Sequence, residues 1–109
     1  VEGRPGVTLT LSSLSTDYIQ VPVRVNGSAY DPTSDDVQIA FIAGNASPQE
    51  PDWNTAAWNT PVSSVYQAQV LVGPANDGIA LAPGTYTVWV KIVDNPEVPV
   101  RAAGYLMIT

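Results

Sequence analysis

With 109 residues, the chain has room for one domain, and a hydrophobic content of 45% can fill a single core. Only 13% of its residues are charged, and ten acidic against four basic side chains leave a net charge of −6. Arg4, Arg24, Lys91 and Arg101 are scattered, which makes nucleic acid and anionic membrane surfaces poor partner candidates. The low charge implies a surface rich in Thr, Ser, Asn, Gln and Ala, as in a β-sandwich or a protein docked on something else.

There is no cysteine, so no disulfide can staple the fold. No apolar run approaches the roughly 18 residues of a membrane-spanning helix. Val1-Glu2-Gly3-Arg4-Pro5-Gly6 lacks the apolar stretch of a signal peptide and reads as a flexible arm, residues 1–6, able to reach roughly 20 Å. Residues 7–109 are expected to form one domain.

Val7 to Leu11 alternates apolar residues with Thr8 and Thr10, predicting a short first strand. Tyr18 to Val25 is the second, with Ile19, Val21, Val23 and Val25 inward. Pro22 cannot donate to a ladder, which places this strand at an edge or a bulge. Asn26-Gly27 is a hairpin signal returning the chain through Ser28-Ala29-Tyr30. After a loop over 31–36, Val37 to Ala43 is the third strand, with Val37, Ile39, Phe41 and Ala43 inward. Gly44 to Pro61 reads as the longest irregular region, holding Pro48, Pro51 and the repeat Trp-Asn-Thr at 53–55 and 58–60. In an extended chain Trp53 and Trp58 fall on opposite faces, which makes one a core plug and leaves the other exposed.

Val65 to Val72 resumes the alternation with Tyr66, Ala68, Val70 and Val72 on one face. A loop at 73–78 leads to Leu81-Ala82-Pro83-Gly84-Thr85-Tyr86, and the chain then alternates to Ile92. Tyr86, Val88, Val90 and Ile92 share one face, and Thr85, Thr87, Trp89 and Lys91 the other. A turn at Asn95-Pro96-Glu97 precedes a final strand carrying Leu106 and Ile108. The sum is about seven or eight strands with regular turn signals, the pattern of an all-β sandwich. Its expected core is Ile19, Val21, Val23, Val37, Ile39, Phe41, Tyr66, Val70, Tyr86, Val88, Val90, Ile92 and Leu106.

Catalytic chemistry has little to work with. Without histidine or cysteine, the usual base, thiol nucleophile and soft metal ligands are missing. No catalytic residue, cofactor or metal ligand is therefore assigned, and the chain is read as non-enzymatic. Asp35, Asp36, Asp77, Asp94, Asn95 and Glu97 offer oxygen ligands for calcium, but such residues are also ordinary turn formers. Asn26-Gly27-Ser28 and Asn45-Ala46-Ser47 match the glycosylation pattern and are equally ordinary loop composition. Trp89, outward by parity, has two readings: the hot spot of an interface, or a side chain packed under the Trp53–Trp58 loop.

The leucine, Pro83-Gly84 and Tyr86 entry looks like the tyrosine corner of immunoglobulin-like sandwiches. Taken with Leu9-Thr10-Leu11-Ser12-Ser13-Leu14-Ser15, the 18–25 strand, Asp31-Pro32-Thr33 before Val37–Phe41, Asp52-Trp53 to Trp58, Leu81–Lys91, Pro99-Val100-Arg101 and Ala103-Gly104, the chain resembles small stand-alone immunoglobulin-like proteins. These lie in the structural gene blocks of tailed bacteriophages, especially those of actinobacteria. The resemblance implies an immunoglobulin-like antiparallel β-sandwich of seven to eight strands without a disulfide. It also implies a virion component without chemistry, carried on the particle surface. The leading expectation is a capsid decoration or head-associated accessory protein docking on the major capsid lattice or other virion proteins, with self-association on the particle. Tail or baseplate decoration belongs to the same class. A rival reading is an extracellular adhesin or carbohydrate-binding module using Trp53, Trp58 and Tyr18 as stacking platforms. The expected contact elements are the arm 1–6 and the 44–61 region, with Arg4, Trp53, Trp58 and Trp89 as partner-binding residues.

Overall fold

The computed structural model describes residues 8–23, 35–44, 46–62, 65–93 and 98–109. Seven strands run in chain order: β1 (Thr8–Leu11), β2 (Asp17–Val23), β3 (Asp36–Ala43), β4 (Asn54–Val62), β5 (Val65–Val72), β6 (Gly84–Val93) and β7 (Val100–Ile108). One 3-10 turn, Glu50–Asp52, precedes β4, and the described residues contain no α-helix. The class is all-β, as the period-two patterning dictates. The strands form a single curled sheet in the order β1-β7-β6-β3-β4-β5-β2.

The curl follows from how β4 divides its partners. Asn54, Thr55 and Ala56 pair with Ile39, Gln38 and Val37 of β3, whereas Ala57, Trp58 and Asn59 pair with Gln69, Ala68 and Gln67 of β5. A strand shared end to end in this way turns one half of the sheet over the other. The apolar faces then meet. Ile19, Val21, Ala68, Val70 and Val72 from β2 and β5 share one buried cluster with Val37, Ile39, Val88, Val90, Leu106 and Ile108 from β3, β6 and β7. Burying such a side chain contributes about 1.5–3 kcal/mol, and the chain has no disulfide to add to that.

Most of the expected inward residues lie in this cluster or pack against it, Phe41, Tyr86 and Ile92 being partly buried. Tyr66 does not join it; the residue is half-buried at the last register position of the β2–β5 pair, opposite Val23. Ala43 closes β3 and is exposed. Leu9 has inward parity but remains 40% exposed, because β1 is an edge strand with a neighbour on one side only.

Two expectations need correction. The sheet is mixed rather than antiparallel, since β1 runs parallel to β7 in the register Leu9↔Leu106. The pairing continues past the strand ends, with Thr109 N–H donating to the Leu11 carbonyl and Ser13 N–H to the Thr109 carbonyl. The 44–61 region is not irregular throughout, because its second half is β4. Prolines and tryptophans obscured that strand, whose Ala56 and Trp58 pack on the core. The count is seven strands among the described residues. Pro22 does sit on an edge strand, β2, where proline is tolerated. The Asn26-Gly27 hairpin, the arm 1–6 and the Asn95-Pro96-Glu97 turn lie outside the described residues.

Two local features fix one end of the curl. The Tyr86 hydroxyl donates to the Ala82 carbonyl at 2.7 Å, clamping the Pro83-Gly84 turn against the start of β6. At the same end, Asn76 and Asp77 adopt φ of 55° and 62°, and Gly78 N–H closes their turn on the Ala75 carbonyl. The Thr16 hydroxyl accepts from Ala75 N–H at 3.0 Å, tying this turn to the β1–β2 connection. Gly73 makes that approach feasible. It is buried at φ 140°, and a Cβ there would overlap the Ser15 carbonyl oxygen and Thr16.

Gly73→Ala is therefore expected to destabilise by about 3–5 kcal/mol, strain and overlap together. Gly44→Ala, at φ 72° with open space around it, should cost only about 1–2 kcal/mol. Urea midpoints at unchanged slope test the contrast, and equal costs would mean that Gly73 is not wedged as described.

Candidate interaction surface

The outward face of the sheet holds the residues that parity kept out of the core. On β6 these are Thr85, Thr87, Trp89 and Lys91; across the β3 pairing stand Ile42 beside Thr87, Ala40 beside Trp89 and Gln38 beside Lys91. Ala40 and Ile42 are buried yet lie outside the core cluster, so something covers this face. The 46–53 segment crosses it, since Gly44 ahead of the segment bonds Thr87 and Trp53 at its end meets Lys91, on either side of Trp89. Trp53 lies with its ring centroid 4.6 Å from the Lys91 ammonium, a cation–π contact, and Lys91 is left 12% exposed. Glu50 approaches the same ammonium at 3.9 Å but is 92% exposed, so this pair adds little. The Thr87 hydroxyl donates to the Gly44 carbonyl at 3.2 Å, and the Asn54 amide donates to the Ile39 carbonyl at 3.1 Å.

Trp53 and Trp58 take opposite sides of the chain, as their spacing requires. Trp53 rests on the outward face, half-buried. Trp58 is the core plug: it packs against the central cluster, and its indole N–H donates to the Asp35 carbonyl at 2.9 Å. That bond ties β4 to the start of β3 next to the point where β4 changes partners. Trp89 is half-buried on the outward face, between Thr87 and Lys91. Its indole nitrogen is inaccessible and has no hydrogen-bond partner. Arg4 lies outside the described residues. The three described contact residues, Trp53, Trp58 and Trp89, do not form one patch.

What the sheet does expose is a strip that the sequence reading passed over. Tyr105 and Met107 on β7 are each 39% exposed. Register sets Tyr105 beside Thr87, and Met107 between Thr85 of β6 and Thr10 of β1. Their outward parity was available from the inward Leu106 and Ile108 between them. A bulge at Val88/Trp89 leaves Ala103 without a partner and sharpens the local twist. Round the open side of the curl, an apolar groove of about 130 Å³ separates the β2 edge from β1 and β7, lined by Leu9, Ile19, Val21, Pro22 and Val88 among others. Tyr18 stands 58% exposed on that edge.

Reactive chemistry is sparse on these surfaces. Among the described residues, no group of three or more acidic, histidine or cysteine side chains is placed to hold a metal ion. Of the calcium candidates, Asp94, Asn95 and Glu97 lie outside the described residues, as do Asn26 and Asn45 of the glycosylation patterns. No helix among the described residues is long and apolar enough to cross a membrane.

Trp58→Phe should lower stability by about 1–3 kcal/mol, because the indole bond to the Asp35 carbonyl is lost in a partly buried site. Trp53→Phe keeps an aromatic face over Lys91 and should cost less than about 1 kcal/mol. Urea unfolding of both variants tests the division, and the reverse order of costs would contradict it.

No protein-family model matches the chain, and no curated protein matches it.

Proposed function

We propose that the chain is a non-enzymatic structural component of a tailed-phage virion, a decoration or head-associated protein docking through the outward face of its sheet. Two lines support an immunoglobulin-like sandwich as its frame. The pairings β2–β5, β3–β6 and β6–β7, with β1 parallel to β7 and β4 shared between the two halves, follow an immunoglobulin-type strand order. The Tyr86 hydroxyl on the Ala82 carbonyl reproduces the bond of a tyrosine corner. Fold alone would not assign a role. The phage assignment rests on the resemblance of the strand and turn segments.

The observation that carries the docking reading is the Tyr105–Met107 strip. Large apolar side chains standing beside threonines, with few charges around them, are what a desolvated contact requires. The described cations do not crowd it: Lys91 is covered by Trp53, and Arg101 turns its guanidinium onto the Val100 carbonyl. A capsid lattice, a tail or baseplate surface, or a neighbouring copy on the particle would serve as partner. The carbohydrate reading is less well supported, because Trp58 is committed to the core and cannot share a stacking platform with Trp53.

Particles assembled from the neighbouring structural genes without this protein should take it up on mixing, as read by co-sedimentation. Y105A/M107A should weaken uptake at least about tenfold while leaving the far-ultraviolet spectrum unchanged. Neighbouring genes that encode no portal, capsid or tail component, or particles that take up none, would defeat the proposal. Full uptake of the double variant would move the contact off this strip.

A further inference from the structure

We propose that the 46–53 segment is a hinged cover over Trp89 that opens as a unit while the sheet beneath stays folded. This holds whether or not the chain docks on a particle. The first ground is internal coherence. Gln49 N–H donates to the Asp52 carboxylate at 2.7 Å, and Asp52 N–H donates to the Gln49 carbonyl, so the turn carries its own hydrogen bonds and need not unravel to move. The second is a shallow hold on the sheet. Ala46, Ser47, Gln49, Glu50 and Pro51 are exposed, Pro48 is half-buried, and the far end of the cover is held by the Trp53 ring on Lys91 and the long Glu50 contact. The third is the placement of hinges. Gly44, at φ 72° in open space, marks one end, and Asn54, bonded to the Ile39 and Asp52 carbonyls, marks the other.

The fourth ground is an imbalance in the closed state. The Trp89 indole N–H is buried without an acceptor, so closing the cover forfeits a hydrogen bond that water would supply. Opening restores that bond and loses the Trp53–Lys91 contact. These opposing terms leave the closed state with a shallow advantage, in contrast to the core strands on the other face. Lys91 is then the latch. Its ammonium is the one charge on β6 that the cover grips, and removing it should open the cover without touching the core.

Hydrogen exchange of the three indole N–H groups by nuclear magnetic resonance tests this on the intact chain. Trp58, bonded to the Asp35 carbonyl, serves as the internal reference. The Trp89 indole should exchange at least about tenfold faster than that of Trp58 and than the Val88 and Val90 amides, as local opening requires. Its rate should be nearly independent of low urea. Lys91→Met should raise it a further five- to tenfold or so, with β2–β5 amides unchanged. Trp53→Ala, which leaves the sheet intact, should do the same. If Trp89 exchanges only with Val88 and Val90, with the same urea dependence and no response to either substitution, the cover does not open separately and the proposal is wrong.

Discussion

Everything in this molecule depends on β4 changing partners midway. A seven-stranded sheet with one apolar face cannot bury that face while flat, and no helix is present among the described residues to cover it. By pairing Asn54–Ala56 with β3 and Ala57–Asn59 with β5, the strand lets the sheet close on itself. The Trp58 indole plugs the interior next to the crossing and fastens it to the Asp35 carbonyl. Valine, isoleucine and leucine from both halves then form one core without a disulfide.

Closing the inner face leaves the outer face with a different problem. Alternation forces Trp89 and Lys91 outward on a central strand, where a large ring and a lone ammonium stand among threonines. The chain meets this locally by laying 46–53 across them, with Trp53 on the ammonium. The fit is incomplete, because the Trp89 N–H has no acceptor. Further along the same face no described segment covers Tyr105 and Met107, and that is where the proposed docking surface lies. One half of the outer face is thus satisfied within the chain, and the other is offered outward.

How much of this was legible depends on the range over which each signal acts. Strand parity is local, so most of the inward sets of β3, β5 and β6 could be read from alternation alone. Their ends could not, where Ala43 is exposed and Tyr66 stays outside the cluster, nor could the burial of Ala40 and Ile42 on the outward side. Pro22 announced an edge, since a residue without an N–H has few other places in a sheet. The Tyr86 corner was legible from Pro83-Gly84 and the tyrosine beyond it. β4 was not, because its two halves answer to different partners, and Pro61 and the Trp-Asn-Thr repeats resemble loop composition. The parallel β1–β7 pairing was hidden for a similar reason: strand direction is set by tertiary closure, on which a four-residue strand carries no information. Of the expected contact residues, parity separated Trp53 from Trp58 correctly, but only the packed structure shows that Trp58 is a structural plug.

The most direct test of this account is the pairing of β4 in solution, read from cross-strand nuclear Overhauser contacts. One sample should show backbone contacts from Thr55 to Gln38 and from Trp58 to Ala68. A β4 that pairs with only β3 or only β5 along its length would leave the sheet without its curl, and the account would fail.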